Sequence, residues 1–356
     1  MTAAVRPSLG ICCTLASGCF DNSEGEGRCN RWNPLVGLGR KGVMREPLRG
    51  SWSWGGAGAF LAAALAVGPV YGQTGSASNV GYIDSAIPIT QFRLRYDVAN
   101  DDNSPERADF FYSKNAPGPL SDKFVNFQEY YAYAEFAPTP RVSGFIELPY
   151  RYLQPDNNSN QNGLGDITFG GKYALIAEED RVLTFQFVTC TPTADGLRGL
   201  GTHNWNIEPA FLYFRRLSER LTLEAELHDF IPVVAYDDFA GNVLRYGVGV
   251  GYTAYERPMV RVTPVVEMVG WSVLSGKEDT GSGPVSAAGD TIVNAKFGVR
   301  IRFGETPPPD GDEETDGGVG GLNRMPRSDV YIGYGRALTG DVWYKNILRV
   351  EYRLRF

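Results

Sequence analysis

Histidine is scarce in this chain: His203 and His228 are the only two among 356 residues. A Ser-His-acid hydrolase needs an imidazole to take the proton of its nucleophile, so one of these two would have to serve. His228 falls in an alternating stretch beside Asp229, with Asp237 and Asp238 a loop away, while His203 lies between Thr202 and Asn204. Neither accompanies a serine at a recognisable elbow. The simpler reading of His228 is polarity inside a lumen, and of His203 hydrogen bonding in a loop. Two separated histidines with Cys190 do not form a metal-ligand set. No catalytic, cofactor-binding or metal residue is assigned, and a hydrolase using His228 is kept as an alternative.

The charged residues have a stronger pattern. Arg93, Arg95, Lys172, Arg245, Arg261, Lys296, Arg300 and Arg302 share one phase of alternating segments with Glu129, Glu135, Glu147, Asp166, Glu208, Glu224, Glu226 and Glu267. A row of both signs opposite an apolar row suits a strand with one side in lipid and the other in a water-filled interior, provided a closed barrel satisfies every backbone amide. These sixteen residues are candidates to line a lumen. They would either set the field of a pore or form ion-pair ladders that hold a closed barrel together.

Period-two alternation recurs along the chain, and no long stretch sustains a helical stripe. Twelve segments are read near 91–98, 125–136, 141–150, 165–176, 182–190, 204–215, 220–230, 243–254, 259–271, 290–303, 329–338 and 344–356. Most approach the ten residues that a tilted strand needs to cross hydrocarbon. The last is the clearest: Leu348, Val350, Tyr352, Leu354 and Phe356 alternate with Arg349, Glu351, Arg353 and Arg355. Its terminal row, Tyr352, Leu354 and Phe356, is read as an assembly signal. The expected fold is all-β, an antiparallel transmembrane β-barrel of about 12 strands over 91–356. A soluble sandwich would also alternate, but the terminal aromatic weighs against it.

Connection lengths support the barrel. Tight links at 137–140, 177–181, 216–219 and 255–258 alternate with longer ones at 99–124, 151–164, 191–203, 231–242 and 272–289, as short periplasmic turns alternate with long outer loops. One link, 304–328, is long on the short side; its Pro307-Pro308-Pro309 and the acids Asp310, Asp312, Glu313, Glu314 and Asp316 suggest a flexible connection. It lacks the spacing and terminal Glu of a calcium loop. Gly170-Gly171 and Gly247, Gly249 and Gly251 fall within strands, where they leave room for long side chains or a packed loop. The Gly247–Gly251 run lacks the strand, turn and helix order of a phosphate-binding loop. Tyr130, Tyr131, Tyr133, Tyr150, Tyr152, Trp205, Trp271, Trp343 and Tyr344 lie near strand ends, where interfacial belts form.

Upstream, Gly55 to Gly72 reads GGAGAFLAAALAVGPVYG after Arg45 and Arg49, which suits a signal peptide over 44–72 cut after Gly72. Residues 1–43, with Cys12, Cys13, Cys19 and Cys29, read as a non-structural upstream segment, and 73–90 as an N-terminal periplasmic segment. Leu15 to Cys19 loosely matches a lipid-attachment site, which would leave the export segment unexplained. Removing 1–72 leaves 27 basic and 37 acidic side chains and Cys190 as the one thiol, so no internal disulfide forms and nucleic-acid binding is disfavoured.

The run Asn162-Gly163-Leu164-Gly165-Asp166-Ile167-Thr168-Phe169-Gly170-Gly171-Lys172-Tyr173-Ala174-Leu175, with Glu147-Leu148-Pro149-Tyr150 and the closing Glu351 to Phe356, resembles the family of outer-membrane transporters associated with the meta-cleavage pathway of phenol degradation. The likeness covers roughly residues 85 to 356; the long upstream segment and the acidic Pro-rich link depart from it. It implies passage of aromatic or other apolar compounds across the outer membrane. The expectation is a bacterial outer-membrane channel for small solutes, without cofactor, partnered by outer-membrane lipid and the barrel assembly machinery. A closed structural barrel without transport is the other alternative.

Overall fold

Twelve long strands, each paired with its neighbours in sequence, close into an antiparallel barrel because the first also pairs with the last. The computed structural model describes residues 78–102, 122, 124–234, 240–257, 259–279, 283–304, 327–340 and 342–356. All belong to one unit, Trp54–Phe356. The upstream segment 1–43, the signal peptide 44–72, the acids Asp237 and Asp238, and nearly all of the connection 304–328 lie outside the described residues.

The strands are β1 Gln91–Asp102, β2 Val125–Thr139, β3 Val142–Pro155, β4 Thr168–Ala177, β5 Arg181–Cys190, β6 Trp205–Arg216, β7 Leu221–Val234, β8 Val243–Tyr252, β9 Val260–Val273, β10 Thr291–Phe303, β11 Arg327–Ala337 and β12 Asn346–Arg355. Closure is by the β12–β1 register, Phe92 opposite Leu354 and Asp97 opposite Arg349. All twelve sequence segments become barrel strands. Several extend further than the alternation indicated, because ladder pairing continues beyond the point where the pattern of side chains weakens. The strand expected from 165 begins only at Thr168. Before it, Gln161–Leu164 folds back on β3 and lengthens that hairpin into the outer loop.

The reason these segments make a barrel is visible on its outer face. Leu94, Leu148, Phe169, Phe211, Val266, Phe297, Ile332 and Leu348 are all exposed large apolar side chains, drawn from eight different strands. The opposite phase holds buried Asp97, Glu135, Lys172, Glu226, Lys296 and Arg349. Apolar outside and polar inside is the inverse of a soluble sandwich, and it matches a closed sheet whose solvent on the outside is lipid. Among the described residues no helix is long and apolar enough to cross a membrane; the strands do the crossing.

The aromatic residues divide by phase, which corrects their assignment to belts. Tyr130, Tyr152 and Trp205 are exposed on the outside, where Tyr96 stacks on Tyr130 with ring centroids 4.5 Å apart. Tyr131, Tyr133, Trp343 and Tyr344 are buried and, with half-buried Trp271, line the interior. Strand-end position alone could not separate these sets; phase could, since Tyr131 and Tyr133 share the row of Glu129 and Glu135.

Residues 78–90 occupy the interior rather than the periplasm expected for 73–90. The backbone approaches at the end of the barrel that carries the short turns, rises against β7–β12, crosses to β5 and β2, and joins β1 at Gln91. Val80, Ile83, Ala86, Ile87 and Ile89 are buried there.

Candidate functional site: the filled lumen

The inner segment has no regular secondary structure, so its amides and carbonyls require partners from the wall. Carboxylates supply the acceptors. Glu224 takes the N–H of Asn79 at 2.8 Å, and Glu226 that of Asp84 at 2.8 Å. Glu267 takes three, from Gly81, Tyr82 and Ile83, at 3.0, 2.8 and 3.0 Å. Guanidinium groups supply the donors: Arg302 and Arg353 to the Ser78 carbonyl at 3.1 and 2.9 Å, Arg300 to that of Asn79 at 2.9 Å and also to Val80, Arg349 to Gly81 at 2.6 Å, and Arg245 to Tyr82 at 2.9 Å. Charge-assisted bonds of this kind are about twice as strong as neutral ones.

Shape agrees with chemistry. A Cβ at Gly249 would stand 2.6 Å from Val80 Cγ1, and one at Gly251 3.0 Å from Asn79 Cβ. The glycine row of β8 is therefore the bed of the inner segment. On the far side, Ala86 and Ile87 cover Ala174, Val182, Ala210, Leu212 and Phe214, an apolar patch on the inward rows of β4, β5 and β6. Burying that patch against the inner segment removes from water a surface that the lumen would otherwise expose.

Above and beside the segment lies a cavity of about 230 Å³. It reaches from Gln91 and Arg353 near the turn end to Asp102, Phe127 and Asp166 toward the loop end. Nine of the sixteen candidate lumen residues line it: Arg93, Arg95, Glu129, Glu147, Asp166, Lys172, Glu208, Arg245 and Lys296. The others point inward but work elsewhere. Glu224, Glu226, Glu267, Arg300 and Arg302 hold the inner segment, Glu135 gathers Gln91, Tyr133, Ser143 and Lys172, and Arg261 pairs closely with Glu256 near the β8–β9 turn.

Along β1 and β2 the wall is a ladder of cations on rings. The Arg93 guanidinium lies 4.2 Å from the Tyr133 ring centroid and that of Arg95 3.6 Å from Tyr131. Both arginines face Glu147, at 3.3 and 3.9 Å. Asp166 departs from a wall position: it precedes β4 and accepts from the N–H groups of Ala194 and Thr202, at 2.9 and 2.6 Å, so it also shapes the outer loop between β5 and β6.

His228 sits between two acids. Its Nδ1 is 2.8 Å from Glu208 and its Nε2 3.2 Å from Glu226, which also has the Arg245 Nε at 2.9 Å. Asp84, Glu226 and His228 offer possible ligand atoms within 4.8 Å of one another, yet Gln186 already donates to Asp84 at 3.0 Å and Arg245 is paired with Glu226. The arrangement functions as an ion-pair lock. His203 is elsewhere, in the loop after the Gly196–Arg198 turn, with φ of 61° and its side chain against Gly196.

The sequence reading missed Asp97, Asp329, Glu351 and Arg151 as site residues. Asp329 is buried among Arg300, Arg353 and Arg355, the last two at 2.9 and 3.4 Å. Arg349 grips Asp97 with two bonds of 2.7 and 2.6 Å. Asp97 and Arg349 were in the polar phases of their strands, so alternation placed them inside; their pairing depended on the register across the barrel closure.

Construction of this kind, with strands closed, an apolar outside and short turns opposite longer loops, is that of a bacterial outer-membrane barrel. No family model matches the chain, and no curated protein matches it. Solved structures similar to it include an outer-membrane channel of the COG4313 group from Pseudomonas putida F1, 15% identical over 79% of this chain and 100% of that one, with a TM-score of 0.48. The KdgM porin in complex with disordered oligogalacturonate is 8% identical over 75% and 99%, with a TM-score of 0.40, and the NanC porin 10% over 74% and 98%, with 0.42. Likeness at this distance carries nothing about function, which rests on the geometry above.

Proposed function

We propose that the chain is a passive outer-membrane channel for small solutes, aromatic or apolar ones among them, narrowed by its own residues 78–90. The observation that carries this reading is the cavity that runs beside the inner segment between charged and aromatic walls. At about 230 Å³ it is below the roughly 300–1,000 Å³ of pockets for drug-sized ligands, which favours small molecules. Passage is passive in this reading because Gly247, Gly249 and Gly251 lie in the straight run of β8 and form no phosphate loop. The resemblance of Asn162–Leu175 to the phenol meta-cleavage transporters fits aromatic cargo. The loops 99–124 and 272–289, parts of which lie outside the described residues, would control access from outside. Lipid surrounds the barrel, and the assembly machinery would take the exposed Phe356 that follows β12.

Uptake by liposomes containing the purified protein tests the reading: small sugars and benzyl alcohol should equilibrate, with a sharp fall as solute size grows. No uptake would favour a closed structural barrel, a reading to which the filled turn end lends specific support. The hydrolase alternative has less: both ring nitrogens of His228 face carboxylates, leaving neither to serve a serine. His228→Ala should abolish no esterase activity.

A further inference from the structure

Lys296 is an inward lysine of β10 whose opposite acid is committed elsewhere. Glu267 stands opposite it in the β9–β10 ladder, but that carboxylate is spent on the N–H groups of residues 81–83 and on the Tyr331 hydroxyl, the latter at 2.9 Å. The Lys296 side chain is buried, and its Nζ lies among rings: Tyr82 at 4.1 Å, Trp271 at 5.2 Å and Tyr344 at 5.4 Å from Nζ to centroid. All four residues line the cavity.

Two further donors on the cavity wall lack acceptors among the described residues. Among the described residues Trp343 Nε1 and the Tyr82 hydroxyl are buried without a hydrogen-bond partner, and the Trp343 ring meets Trp271 at 5.0 Å. A buried donor left unpaired is costly. Phe127, Phe230, Val243 and Ile347 give the same part of the cavity apolar walls. Donors on the wall of an apolar, ring-lined space suit an acceptor that carries an apolar body.

We propose that Lys296, Trp343 and Tyr82 form a binding site for a small organic monocarboxylate with a ring-sized apolar body. The carboxylate pairs with the Lys296 ammonium and accepts from Trp343 Nε1 or the Tyr82 hydroxyl, while the apolar body packs among Trp271, Tyr344 and Phe230. A second basic group for a dianion is not free, since Arg349 is bound to Asp97 and Arg245 to Glu226. This rests on the channel reading for the route by which solute arrives, whereas binding itself is measured apart from transport.

Titration calorimetry on the purified, folded protein in detergent with benzoate, benzyl alcohol and acetate tests the site. Benzoate should bind saturably, at least tenfold more tightly than either other probe, because only it has both charge and apolar body. Lys296→Met should weaken benzoate at least tenfold and leave benzyl alcohol within twofold; Trp343→Phe should weaken benzoate by a few fold. Equal affinity for benzoate and benzyl alcohol, or for benzoate and acetate, overturns the proposal, as does a Lys296→Met protein that binds benzoate normally. If Lys296→Met does not fold, the probe ratios and Trp343→Phe decide. Benzoate that binds but does not cross liposomes defeats the channel and leaves the site standing; benzoate that crosses without saturable binding does the reverse.

Discussion

Glu267 faces Lys296 across the β9–β10 ladder yet gives its carboxylate to the backbone of Gly81, Tyr82 and Ile83, at 2.8 to 3.0 Å. The acid that could have closed a wall ladder instead anchors a segment inside the lumen. Neither pure extreme considered from the sequence, selectivity charges or structural ladders, describes the interior: some charges hold the plugging segment and others border the remaining cavity.

The bed of that segment should tolerate no added bulk. Gly249→Val would drive a Cβ into Val80 and to 3.1 Å from Glu267 Cγ, whereas Gly144→Val on the outer face has its nearest neighbour at 3.8 Å. Overpacking of a filled interior costs about 1–3 kcal/mol. Gly249→Val should therefore lower the thermal midpoint in detergent by several degrees and Gly144→Val should leave it near the parent value.

The His228 lock should be structural. His228→Leu leaves the buried Glu226 with Arg245 and the Asp84 N–H but removes the imidazole between Glu226 and Glu208. Removing one member of a buried ion pair costs about 3–5 kcal/mol, and the remaining Arg245 puts the expected loss toward the lower end. Denaturant unfolding of the detergent-solubilised barrel measures it.

Assembly should depend on Phe356 more than on Arg355. Phe356 is exposed on the outer face and its N–H bonds to the Thr90 carbonyl at 3.1 Å, while Arg355 is one of three arginines around Asp329. Phe356→Asp puts charge into the lipid-facing row; Arg355→Ala leaves Asp329 two partners. Heat-modifiable migration on a mild detergent gel should be largely lost in the first and retained in the second. Equal assembly would remove Phe356 from its role as an assembly signal.

The wall was legible because period two is imposed by the pleat itself: Arg93, Arg95, Glu135 and Lys172 could be placed inside from their phase alone. Residues 78–90 were not legible, because an irregular segment has no period and its partners are scattered over β2 and β4–β12. Its traces were nevertheless present. Gly247, Gly249 and Gly251 announced something packed against β8, and Ala210, Leu212 and Phe214 put apolar side chains on a row that should have been polar. Lys296 looked like any other inward charge, since nothing local reveals that the acid opposite is committed to a backbone far away in sequence.

Single-channel recording in planar bilayers tests most directly whether a passive channel exists and whether residues 78–90 set its width. The folded protein should give small discrete steps, and Glu267→Gln, which keeps the shape but weakens the hold on residues 81–83, should raise their size at least twofold as the inner segment loosens. Folded wild-type and Glu267→Gln proteins that both leave the bilayer silent would contradict the channel; steps of equal size from the two would contradict the role of the inner segment.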